Sequence, residues 1–115
     1  MITKGIRGAI TVDNNTAEDL KLAVLELLGA IVEQNKLLTE NISHVIFTVT
    51  PDINADFPAK FARLDFGWTD VAMMCYHEMD VKGALQMCLR VMIVYNCDEN
   101  FRPEFVYLKG AQHLR

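Results

Sequence analysis

The chain has 115 residues, the length of one domain, and at this size folding buries roughly two-thirds of the unfolded surface. Hydrophobic residues make up 51% of it, which excludes global disorder. With 11 Lys and Arg against 15 Asp and Glu, the formal charge is −4; this argues against a nucleic-acid binder and makes any local group of arginines a candidate site for a small anion.

In chain order, "ITKGIRGAITV" (2–12) alternates, with Ile2, Ile6, Ile10 and Val12 in phase, and predicts a strand. After the break "DNNT", Thr16 and Asp19 resemble a capping box with Asp in place of Glu. Leu20, Val24, Leu27 and Ile31 then recur at helical spacing, so a long helix is expected up to about Asn35. Thr39 is placed as the cap of a short turn. "HVIFTVT" (44–50) is a β-branched strand. "PDINADF" is a loop, followed by a short helix starting at Pro58, with Phe61 and Leu64 marking one face and Gly67 as its C-cap. "DVAMMCY" (70–76), "LQMCLRVMIVYN" (85–96) and "FVYLKG" (105–110) complete five strands. The fold class is α+β, a single domain with one long and one short helix. One long helix covers only one face of such a sheet, and a second subunit is the expected cover for the other.

The strand containing Arg90 poses the chemical question. Cys88, Arg90, Met92 and Val94 share one face, and Leu89, Val91, Ile93 and Tyr95 the other, so both faces read as buried. A guanidinium keeps its proton, and burying it unpaired costs several kcal/mol. Arg90 therefore requires an anion, from the protein or from a ligand. Glu78 is the protein's candidate, near Cys75 and Asp80 where the third strand ends. Arg7 has only small neighbours on its strand face (Gly5, Ala9, Thr11); it reads either as a snorkelling strand-end arginine or as a carboxylate clamp. Lys60 and Arg63, three apart on the short helix with Phe57 just before it, form a solvated cationic face or part of a site. Tyr107 is core or contact. His44, His77 and His113 lack paired ligand spacing, so no metal is expected. Cys75, Cys88 and Cys97 read as reduced thiols. No apolar run approaches the roughly 20 residues that span a bilayer, and Lys4, Gly5, Arg7 and Gly8 interrupt any signal-peptide core. A cytoplasmic location without membrane or nucleic-acid partners is expected.

Taken together, "GIRGAITV" (5–12), "TPDINADFPAKFAR" (50–63), "GW" (67–68), "CYHEMDVKGALQMCLRV" (75–91) and "VYLKGAQHLR" (106–115) resemble the monofunctional trimeric chorismate mutases of the AroH type. The resemblance implies a mixed five-stranded sheet in a homotrimeric pseudo-α/β-barrel with sites at subunit interfaces. It implies conversion of chorismate to prephenate without a cofactor. It places Arg90 on the ether oxygen and a carboxylate, Arg7 and Tyr107 on carboxylate, and Glu78 and Cys75 near the ring hydroxyl. Phe57, Lys60 and Arg63 match positions supplied by the adjacent subunit, and Leu114 and Arg115 the C-terminal segment near the pocket. A trimeric imine deaminase-like protein and a non-enzymatic carboxylate-binding trimer are the competing readings.

Overall fold

A computed structural model describes residues 1–114. Strand β1 (Ile2–Thr11) leads into helix α1 (Ala17–Asn35). The Thr16 hydroxyl accepts from the Asp19 backbone N–H at 3.1 Å, closing the helix N-terminus as its sequence predicts. A short 3₁₀ turn (Thr39–Asn41) follows, then β2 (Ile42–Val49), α2 (Pro58–Leu64), β3 (Ala72–His77), β4 (Cys88–Cys97) and β5 (Val106–Leu108). Leu38, not Thr39, caps the 3₁₀ turn, without a side-chain bond.

The strand order is β3-β2-β4-β1-β5. β4 runs antiparallel to both β1 and β2, whereas the outer strands pair in parallel, β5 with β1 and β3 with β2. The antiparallel centre and parallel edges make the sheet mixed. Helix α1 packs Leu20, Val24, Leu27, Leu28 and Ile31 against Ile6, Ile10, Phe47, Leu89 and Ile93 on one sheet face, all of them fully buried. Gly8 permits the approach: a Cβ there would stand 2.6 Å from Ile31 Cδ1 and 3.1 Å from the Val106 carbonyl.

The opposite sheet face departs from the sequence reading. Arg90, Met92 and Val94 are only partly buried, and Met74 and Tyr76 are 58% and 48% exposed. The physical reason is coverage. Both helices lie on the other side, so the face reads as buried by composition but is uncovered in the single chain. On α2 the buried residues are Pro58, Phe61 and Ala62, an i, i+3, i+4 set, and Leu64 is 62% exposed. Leu64 falls about 60° beyond Phe61 around the helix, off the packed stripe. The C-cap is Asp65; Gly67 follows at φ 85°, where the chain turns so that Trp68 N–H donates to the Ala62 carbonyl at 3.0 Å.

Asn35, at the end of α1, ties a long irregular segment to the core. Its amide donates to the Ile31 and Glu104 carbonyls at 3.0 and 2.9 Å, and its oxygen accepts from Glu104 N–H at 2.7 Å. It thereby imitates a strand partner for the residue two before β5. Asn35→Ala strands these groups and is expected to cost about 2 kcal/mol. In calorimetry that is a fall in Tm on the order of 8 °C; an unchanged Tm contradicts this role.

Candidate active site

β4 sets Arg90 between Ala9 of β1 and Thr48 of β2, on the uncovered face. Arg7 stands two residues before Ala9 and so shares that face, exposed. Tyr107 of β5 pairs with Ala9 and points the same way. Glu78 arrives just past β3, its N–H donating to the Val49 carbonyl at 2.9 Å. With Thr48 and Leu114, these four side chains line a cleft of about 260 Å³.

Within the cleft Arg90 Nη1 lies 3.5 Å from Glu78 Oε2. The Thr48 hydroxyl donates to that same oxygen at 2.6 Å and holds the carboxylate in place. Arg90 Nε is buried without a hydrogen-bond partner among the described residues, and so is the Tyr107 hydroxyl. Buried donors almost always have acceptors. A permanently charged N–H and a phenol therefore stand in the cleft as two buried donors with free capacity. The question posed by Arg90 has a divided answer: Glu78 takes one corner of the fork, and the inner edge is left for something else.

A second recess, of about 470 Å³, opens beside α2 and the edge strand β3, lined by Phe57, Lys60, Arg63, Met73, Met74 and Cys75. It shares no lining residue with the first. Phe57 is 69% exposed. Lys60 Nζ bonds Asp56 at 2.9 Å and lies 5.7 Å from the centre of the Phe61 ring. The Lys60 hydrogen bond, with help from the Phe57 N–H, holds the Asp56 carboxyl below its ordinary value. Arg63 is exposed and makes no ion pair among the described residues.

Cys75 requires a correction. Near Glu78 in sequence, it pairs in the ladder with the core residue Phe47 and faces α2, whereas Glu78 borders the other side of the sheet. Burial pushes its thiol up, outweighing the backbone bond at Ala59 that lowers it. Burial likewise raises the thiol of Cys88, against the pull of Arg90. Both stay neutral thiols near pH 7. Asp80 does not line the cleft. Thr48 is a cleft residue that the strand reading passes over: in "HVIFTVT" it is one more β-branched residue, and only the pairing with Arg90 brings it to Glu78. Arg115 lies outside the described residues.

Neither cysteine nor histidine lines the cleft. Among the described residues no group of three or more His, Cys, Asp and Glu is placed to hold a metal ion. No helix among them is long and apolar enough to cross a membrane. What the fold and cleft define is a class: an α+β protein with a small cationic cleft on an uncovered sheet face, suited to a small polyanion held by position and charge.

The comparisons narrow the class. Residues 3–115 match the family model described as chorismate mutase type I. Chorismate mutase AroH of Bacillus subtilis (strain 168) is 41% identical over 116 residues, covering 100% of this chain and 91% of its own. Chorismate mutase AroH of Thermus thermophilus is 40% identical over 116 residues, at 99% and 94% coverage. The solved chorismate mutase from Clostridium thermocellum superposes with a TM-score of 0.89 at 44% identity, over 95% of this chain and 97% of that one. The chain belongs to the chorismate mutase type I family.

Proposed function

We propose that this chain, acting as a single domain, is a chorismate mutase that rearranges chorismate to prephenate in aromatic amino-acid biosynthesis. Family membership carries the activity. The chemistry of the cleft agrees with it, through the open Arg90 Nε beside an anchored Glu78. Neither the imine-hydrolysing nor the purely binding reading has a comparable observation in its favour.

A Claisen rearrangement is intramolecular: the ether C–O bond breaks as a C–C bond forms, with no nucleophile, proton transfer or cofactor. Two effects remain for the protein. Holding the enolpyruvyl arm over the ring removes unproductive conformers, a smaller gain here than in joining two molecules. A cation aimed at the ether oxygen opposes charge that grows only in the transition state, worth about 3–4 kcal/mol for one well-placed donor. In this reading Arg90 serves the ether oxygen and a carboxylate through its fork. Arg7 and the Tyr107 hydroxyl hold carboxylate oxygens, Glu78 accepts from the ring hydroxyl, and Leu114 closes one side.

The cleft opens on a sheet face that neither helix of the chain covers, with Met74 and Tyr76 exposed on it. A missing wall supports a homotrimer in which Phe57, Lys60, Arg63 and the Cys75 segment of one subunit complete the cleft of the next. The location we propose is the cytoplasm, in keeping with three unpaired thiols.

The direct test is chorismate itself: its ultraviolet absorbance disappears on incubation with the protein, and acidification then yields phenylpyruvate. Persistence of chorismate refutes the reading. The pH profile is a second expected result. With no proton transferred and the Cys75 and Cys88 thiols pushed upward by burial, kcat stays flat between about pH 6 and about pH 9. A bell-shaped kcat profile with a solvent isotope effect indicates acid–base chemistry instead.

A further inference from the structure

Glu78 and Arg90 stand at the two ends of an irregular segment, Met79–Met87, most of it exposed. Its own backbone bonds, from Val81 N–H to the Met79 carbonyl and from Ala84 N–H to the Val81 carbonyl, both at 3.1 Å, are local and do not join its ends. Val49–Asp52, at the end of β2, meets both ends from outside, and β1 adds one bond at the far end, from Val12 N–H to the Met87 carbonyl at 2.8 Å. At one end the Glu78 N–H donates to the Val49 carbonyl at 2.9 Å. At the other, the Asp52 carboxylate accepts from Met87 N–H with both oxygens, at 3.2 and 3.0 Å. The Thr50 hydroxyl accepts from Cys88 N–H at 3.0 Å and donates to Asp52 Oδ1. The Thr50 N–H donates to the Cys88 carbonyl at 3.0 Å.

Two further observations bear on this arrangement. Met87 has φ 50°, a left-handed conformation that a methionine adopts only when its surroundings enforce it. The β2–β4 ladder also has its last pair at Val49 and Leu89, one residue short of Cys88. Beyond it the Thr50 hydroxyl and the Asp52 carboxylate take over the role of the missing strand. Arg90 follows two residues later. Thr50 is 6% exposed, and its hydroxyl is satisfied within the protein, donating to Asp52 and accepting from Cys88 N–H.

We infer that Thr50 and Asp52 are positioning residues: they staple the neck of the Met79–Met87 loop and, through the left-handed turn at Met87, fix Arg90 relative to Glu78. The inference rests on the functional reading above, because its consequence is read in kcat. Arg90 can stabilise charge on a reacting oxygen only from the right distance, and a misplacement of about 1 Å can cost up to about 10²-fold.

The test measures kcat and KM on chorismate for four variants, at a temperature where circular dichroism shows each folded. Thr50→Val removes the hydroxyl and keeps the shape; Thr50→Ser restores it. Asp52→Ala removes the carboxylate at an exposed position, so it carries the test alone should Thr50→Val not fold. Asp52→Ala/Met87→Gly then lets the left-handed turn form without strain. Expected are falls in kcat of about tenfold or more for Thr50→Val and Asp52→Ala with KM little changed. Thr50→Ser is expected near wild type, and the added Met87→Gly to recover much of the Asp52→Ala loss. Folded Thr50→Val and Asp52→Ala proteins with wild-type kcat, or losses that neither Thr50→Ser nor Met87→Gly recovers, overturn the staple. A wild-type protein that leaves chorismate untouched overturns the functional reading itself.

Discussion

Arg90→Ala is expected to lower kcat by about 10²–10³-fold and Arg90→Lys nearly as far, with the fold intact in both. The expectation for alanine follows from the magnitude of one well-placed donor acting only in the transition state, about 3–4 kcal/mol. The expectation for lysine follows from geometry. Arg90 Nη1 already faces Glu78 at 3.5 Å, and the buried Nε on the inner edge is the donor left open. Only a planar fork offers both directions at once; an ammonium on a flexible stem is drawn to Glu78 and forfeits the second contact. Survival of the fold is argued from the same distances. The Arg90–Glu78 pair is loose, and the two side chains are 33% and 25% exposed, so its removal costs about 1 kcal/mol at most. Circular dichroism and steady-state kinetics on the purified variants check both halves. An Arg90→Lys enzyme with near-wild-type kcat removes the electrostatic assignment.

The parts of the fold that were legible in the sequence are those where local and tertiary signals agree. Thr16 as cap and Leu20, Val24, Leu27 and Ile31 as stripe locate α1, because its hydroxyl bond and its buried face are the same in both accounts. Arg90 was legible as an anomaly, a permanent cation in an apolar strand, and Arg7 as a long side chain among small ones. The misplaced strand faces have one cause: alternation says which residues share a face but not which face is covered. In "AMMCYH" both phases are apolar, so Cys75 could be put with Glu78 until its pairing with Phe47 turned it toward α2. The same ambiguity made the Arg90, Met92 and Val94 face look buried. Thr48, Thr50 and Asp52 were illegible for another reason: each acts through a partner distant in sequence. Thr48 meets Glu78, and Thr50 and Asp52 meet Cys88 and Met87. The roles of Lys60, Arg63 and Leu114 came from the resemblance alone.

The division of the candidate residues into two recesses leads to the second large effect, on mixing two inactive proteins. Arg7, Glu78, Arg90 and Tyr107 line one recess, and Phe57, Lys60, Arg63 and Cys75 line another beside the edge strand. On the shared-cleft reading, a working site takes the first set from one protomer and the second from its neighbour. Arg90→Ala damages only the first and Lys60→Ala/Arg63→Ala only the second, and the test requires each variant to be well below wild type by itself. Lys60 and Arg63 are exposed on α2, where Lys60 pairs with Asp56 just before the helix and reaches only the outer side of the Phe61 ring, 5.7 Å from its centre. Their loss therefore leaves the core untouched. Co-refolded in equal amounts, the two variants assort at random, and an intact residue set is present on each side of a cleft with a probability of about one-half. About a quarter of the clefts are then whole, provided that they act independently. Activity near that fraction of wild type, far above either parent, is the expected result. With subunit exchange verified by mass, activity no greater than the mean of the two parents shows instead that each chain carries a complete site of its own.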